Sequence, residues 1–218
     1  MCTRKILSDF PIGSFLFTKL VLANATSHTR TRCASLKPMN TIKAEIDKSD
    51  YGTDDFPNLK IDEFWLDEKL EELYPNNMYR GLYPTLLFWM EIEQERKVVW
   101  NRILPKIGEI TICPILMCPD DNDFSCTIIL AEIENCEKTV KWNKLGIDKT
   151  TEYNAKKVGS KAEWFEKING FEFSKSEYEI MISEFKKHYQ IEKTNWEQRN
   201  PDFKQKLPFE KQRTHNNV

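Results

Sequence analysis

The sequence predicts an α+β fold: an antiparallel β-sheet with a central hairpin, flanked by an N-terminal acidic helix and a C-terminal amphipathic helix. Three stretches carry that expectation. From Ile110 to Glu134, two apolar, β-branched runs flank the polar turn Pro119-Asp120-Asp121-Asn122-Asp123, the pattern of a hairpin with a four- or five-residue loop. From Ile61 to Leu73, apolar residues at 61, 64/65, 66, 70 and 73 recur at helical spacing. From Tyr178 to Tyr189, apolar side chains at 178, 181, 182, 185 and 189 form a second helical stripe.

The chain divides into three parts. Residues 1–38 hold six Lys/Arg against the single acid Asp9, a charge of +5, which leaves −7 on the remainder of a chain whose total is −2. This basic, Ser/Thr-rich extension has one apolar patch, Phe15 to Leu22, broken by Lys19. Three readings stay open: a secretory signal cut near Ala23-Asn24-Ala25, an organellar targeting segment, or a start assigned too early, with Met39 as the true beginning. On each the segment is expected to be poorly ordered. Residues 39–190 form the α+β domain, and 191–218 read as a polar tail in which Trp196, Phe203 and Phe209 are available to dock back.

Within the domain, Tyr51 to Asn58 is rich in turn-formers. The helix expected over 61–73 places Asp62 and Glu63 in its first turn, where the dipole favours them, and ends before Pro75. Its outer face carries Asp62, Glu63, Asp67, Glu68, Glu71 and Glu72 against Lys69 alone, either a solvated face or a patch for a basic partner. Alternation of Phe88, Met90 and Ile92 with Glu91 and Glu93 predicts a strand. The sheet is expected to run from about residue 80 to 145, ending in Lys138 to Gly146 with Val140, Trp142 and Leu145 facing inward. A polar loop covers Thr150 to Ser160, and a turn at Asn169-Gly170 separates two short aromatic pieces. Ser174-Lys175-Ser176-Glu177 matches a capping box and opens the last helix.

Composition limits the function. The 40% apolar and 12% aromatic content belongs to a globular chain. An acidic body is a poor surface for nucleic acid, so no direct nucleic-acid partner is expected. No apolar run long enough to span a bilayer occurs, so no membrane role is expected. Six cysteines in 218 residues are too sparse for a secreted disulfide scaffold, and the reading is a reducing, cytoplasmic location.

Candidate chemistry is thin. Cys113, Cys118, Cys126 and Cys136 are separated by four, seven and nine residues, unlike the two-residue knuckles of structural zinc, and read as buried or half-buried thiols. Asp120 to Asp123 lacks the ligand order of a calcium loop, and Asx turns account for its composition. No cofactor is expected. Asp120, Asp121 and Asp123 would still make a compact anionic knob for a cationic partner. The only histidines are His28, His188 and His215, and a Cys126–His188 pair would need tertiary proximity. With seven glycines there is no glycine-rich phosphate loop.

Arg102-Ile103-Leu104-Pro105, then Cys113-Pro114-Ile115-Leu116-Met117-Cys118-Pro119-Asp120-Asp121 with Asp123-Phe124 and Cys126-Thr127, then Trp142-Asn143-Lys144-Leu145-Gly146, resemble uncharacterised bacterial immunity proteins of polymorphic or contact-dependent toxin systems. The likeness covers about residues 79–185. It implies a protein that inactivates a cognate toxin by binding it, and it assigns no residue a role. The expectation is a non-catalytic binding protein whose acidic surface takes a basic protein partner such as that toxin. The candidate contacts are Asp120, Asp121 and Asp123 at the hairpin and Asp62, Glu63, Asp67, Glu68, Glu71 and Glu72 on the helix. Two alternatives remain: a small cytosolic enzyme using a Cys or the Asp120–Asp123 cluster, and an accessory subunit docking through exposed aromatics.

Overall fold

A computed structural model describes residues 38–48, 55–152 and 154–201. Readings that fall on residues 1–37, or on the tail beyond residue 201, lie outside the described residues. The α+β class holds, with two antiparallel sheets and three α-helices among the described residues. None of these helices is long and apolar enough to cross a membrane.

The smaller sheet comes first. Strand β1 (Ile42–Lys48) pairs with β2 (Asp55–Ile61), which turns back into the two-residue β3 (Phe64–Trp65). The turn-formers of this stretch sit partly inside a strand: Pro57 lies opposite Ile46, and Asn58 is buried. A Pro lacks the ladder donor and a strand tolerates it where no partner needs that donor. Asp62 and Glu63 make the β2–β3 turn, Asp62 at φ +51°, a conformation Asp adopts more readily than most side chains. They are therefore not the first turn of a helix. Helix α1 (Leu66–Leu73) begins later than its apolar spacing suggests and buries Leu66 and Leu70.

The larger sheet runs in the order β4-β5-β6-β7-β8, from β4 (Tyr83–Pro84) through β5 (Ile110–Met117), β6 (Ile128–Asn135) and β7 (Thr139–Asp148) to β8 (Ala162–Trp164). Strand β9 (Phe171–Ser174) shares the outer edge of β7, pairing with Thr139 to Trp142 where β8 pairs with Gly146 to Asp148. Gly146 makes that approach possible, since a Cβ there would lie 2.4 Å from the Glu163 carbonyl oxygen. The ladder slips one residue near Ile115 on β5 and near Asn143 on β7. The second slip lets Trp142 and Leu145, three apart, both face the core.

The strand expected at Phe88 to Ile92 does not form. That stretch is turn and irregular chain, and helix α2 (Glu93–Arg102) follows at once. The alternation had another cause: Met90 is buried, whereas Arg96 folds back to donate to the carbonyls of Met90 and Glu91. Helix α3 (Lys175–Arg199) starts as its cap predicts. Ser174 Oγ accepts the Glu177 N–H at 3.2 Å and donates to the Glu177 carboxylate at 3.0 Å. It then runs past residue 191, so part of the expected tail is helix. Tyr189 and Trp196 near its end pack on Phe88, with ring centroids 5.4 and 6.1 Å apart.

The core lies where α2 covers β5 and α3 covers β1, β7 and β9. At its centre the fully buried Trp142, Phe173 and Tyr178 pack ring against ring. Trp142 Nε1 donates to Tyr178 Oη at 3.0 Å, and that hydroxyl donates to the Ile103 carbonyl at 2.9 Å. Both polar ends of this aromatic core are thus satisfied.

Candidate functional site

The loop between β5 and β6 carries the densest chemistry, and its strands explain where it stands. Met117 pairs with Ile128, and the ladder adds one more rung, Cys118 N–H to the Thr127 carbonyl at 3.0 Å. The connection from Cys118 to Thr127 is therefore longer than the four- or five-residue turn expected. It folds on itself. Asn122, at φ +50°, donates its N–H to the Cys118 carbonyl at 3.2 Å, and Asp123 accepts the Ser125 N–H at 2.7 Å in an Asx turn.

Two contacts bind this loop to the start of α2. The Glu91 N–H donates to the Asn122 carbonyl at 3.1 Å, and Glu95 Oε2 accepts the Phe124 N–H at 2.9 Å. Glu95 is almost wholly buried, and burial pushes its carboxyl up from 4.5 to about 7. The Phe124 N–H works against that rise, and the negative charge of Asp123 adds to it. Sequence reading missed Glu95, because the strand expected just before it hid the helix on which it sits.

The loop also gathers three ligand-type groups. The thiols of Cys118 and Cys126 and the carboxylate of Asp121 all lie within 4.8 Å of one another. Burial raises the Cys126 thiol above its usual range, and its hydrogen bonds with Cys118 and Asp121 push the same way. A thiol held protonated is a weak nucleophile. Cys113 belongs elsewhere: it is fully buried, with its thiol directed at the Val99 and Pro114 carbonyls. Its position leaves no four-cysteine cluster, whereas Cys118 and Cys126 meet because they flank one loop. Register, rather than residue spacing, is the signal that would have found them.

The acidic residues singled out by sequence have diverse fates. Asp120 and Asp121 are exposed on the loop, Asp123 is half-buried, and no salt bridge engages the three among the described residues. The six on the first helix do not form one face. Asp67 is buried, accepting the Gly81 N–H at 2.8 Å and Asn58 Nδ2 at 3.3 Å, and burial raises its carboxyl above the usual range. Asp62 accepts Asn40 Nδ2 at 2.7 Å and the Thr41 N–H at 2.8 Å. Glu71 caps the following turn through the Asn76 and Tyr79 N–H groups. Glu68 is paired with Arg80 and Glu72 with Lys69. Glu63 is exposed in the β2–β3 turn, as Glu68 and Glu72 are on the helix.

A second concavity, an open groove of about 460 Å³ between α2 and α3, has the opposite character. Trp100 and Tyr189 form its aromatic walls, Arg96, Lys97 and Lys186 stand on them, and Lys186 lies 5.8 Å over the Trp100 ring. Comparison of the chain with protein-family models, curated proteins and solved structures finds no match.

Proposed function

We propose that this is a non-catalytic binding protein that offers the β5–β6 loop to a basic protein partner, and that it acts as an immunity protein neutralising a cognate toxin. One observation carries the reading. Asp120 projects charge with no salt bridge among the described residues, and the exposed Asp121 stands beside it, on a loop fastened at both ends by the β-ladder and by Glu91 and Glu95 of the neighbouring segment. Exposed charge outside any salt bridge costs little to redirect onto a cation, and it steers a basic partner during approach. Glu63, Glu68 and Glu72 can extend the field. Asp62, Asp67 and Glu71 are occupied by the fold itself and belong to its architecture.

The test has two stages. The chain is used to capture partners from its host, and the captured protein is then expressed with and without it in test cells. One basic protein that stops growth alone, and is rendered harmless by co-expression, supports the reading. Protection should weaken at least about tenfold in Asp120→Asn/Asp121→Asn and with added salt. Protection indifferent to both changes would remove the loop from the interface. No captured protein, or one harmless by itself, would defeat the immunity assignment.

A further inference from the structure

We infer that Cys118, Asp121 and Cys126 form a zinc site at the mouth of the β5–β6 loop. The site shares Asp121 with the proposed partner surface, and its test needs no partner. It starts from the ladder. The terminal rung between Cys118 and Thr127 places the two cysteines on opposite arms of one loop, and the Asn122-to-Cys118 bond curls Asp121 back above them. Two sulfurs and one carboxylate oxygen then sit within 4.8 Å of one another. In tetrahedral zinc, metal–sulfur bonds of about 2.3 Å and metal–oxygen bonds of about 2.1 Å put such donors about 3.5–3.8 Å apart. Closing the difference takes side-chain rotation of about an ångström, and Asp121 and Cys126 are both exposed enough to rotate.

The donor set selects the ion. Thiolate sulfur favours zinc over calcium or magnesium, and one carboxylate beside two sulfurs keeps a borderline cation in preference to a monovalent soft one. Surrounding charge favours any cation, because Asp120 and Asp123 flank the same loop and carry no salt bridge among the described residues. Three protein ligands leave a fourth position for water.

Binding is a proton exchange without redox change. Two thiol S–H bonds break, two sulfur–zinc bonds form, and two protons leave for the buffer while the metal stays divalent. Two thiols and one carboxylate carry −1, and so do two thiolates, one carboxylate and Zn²⁺. Zinc therefore fixes the shape of the loop and leaves its net charge unchanged.

Cobalt(II), a spectroscopic stand-in for zinc, tests this on the full, reduced, metal-free chain with no partner present. The expected result is one Co²⁺ per chain with sulfur-to-cobalt charge-transfer absorption and intense tetrahedral visible bands. Zinc should displace it, with about two protons released per metal bound. Cys118→Ser/Cys126→Ser should abolish the signal, Asp121→Asn should weaken binding more than about tenfold, and Cys136→Ser or Cys2→Ser/Cys33→Ser should leave it intact. Circular dichroism of each variant establishes that the fold persists, and Asp121→Asn keeps both thiols should the double serine variant misfold. Absence of the charge-transfer band would overturn the site. So would a band that survives the double serine change, one lost with Cys136 or Cys2/Cys33, or a Cys118–Cys126 disulfide that persists in reductant.

Discussion

Glu95 on α2 accepts the Phe124 N–H of the β5–β6 loop at 2.9 Å, across 29 residues of sequence, and so one buried carboxyl sets where the loop stands on the domain.

That carboxyl makes stability depend on pH. Burial raises it from 4.5 to about 7, so the folded chain holds this proton more tightly than the unfolded one. Its contribution is complete below about pH 4.5 and is lost as pH rises through about 7. Glu95→Gln keeps an oxygen for the Phe124 N–H and cannot ionise. Urea denaturation should find the variant more stable than the parent at pH 8, by about 2 kcal/mol, with the two close to equal at pH 4.5. Parallel pH profiles for the two proteins would refute it.

Tyr178→Phe should destabilise the chain by about 1–3 kcal/mol. Its hydroxyl both accepts from Trp142 Nε1 and donates to the Ile103 carbonyl, and the change strands two buried polar groups. Denaturant titration followed by Trp fluorescence reads the loss; a change under about 0.5 kcal/mol would mean that neither bond matters.

Asp67→Ala and Asp67→Asn should differ. Alanine leaves the Gly81 N–H without its acceptor and takes one of the two acceptors of Asn58 Nδ2, which keeps Asp47 at 3.0 Å, a cost of about 2 kcal/mol, whereas asparagine keeps one oxygen for Gly81. Partner affinity per folded molecule should not change in either. A loss of affinity in fully folded Asp67→Asn would return this residue to the interface.

Gly146→Ala puts a methyl 2.4 Å from the Glu163 carbonyl oxygen and 2.8 Å from the Trp164 ring, and the backbone oxygen has nowhere to go. The β7–β8 pairing should open, with a loss of about 2 kcal/mol or more. Amide exchange at Phe165, whose N–H bonds to the Leu145 carbonyl, should accelerate while β5 and β6 stay protected. Unchanged exchange there would show that the strands can move apart freely.

Elements whose local pattern and burial agree were legible in the sequence. Val140, Trp142 and Leu145 are buried as expected, and the Ser174 cap and the stripe from Tyr178 to Phe185 open the last helix where they were placed. Others were hidden by tertiary contacts. Pro57 and Asn58 look like turn residues, yet β1 and the Asp67 carboxylate give them a strand to sit in. Helix α2 buries little besides Glu95 and Val99, so it writes almost no stripe. The second half of α3 is held by aromatic contacts with Phe88, which its own polar sequence does not announce. At the site, acidity was visible but use was not. Asp62, Asp67 and Glu71 read as surface charge, whereas each accepts hydrogen bonds that brace the fold.

The two ends of the described fold are joined at Asn40. Its N–H donates to the Glu172 carbonyl at 2.8 Å, its side-chain oxygen accepts the Glu172 N–H at 3.2 Å, and Asp62 holds its amide from the other side. During synthesis the β1–β2 hairpin leaves the ribosome long before Glu172 exists. Once complete at Ile61 it must wait, with its α3-facing side uncovered, for about 110 further residues to reach Glu172, roughly ten seconds at ordinary translation rates. The earliest of the described strands to be made is thus among the last to be locked, and through that interval its uncovered face is open to mispairing.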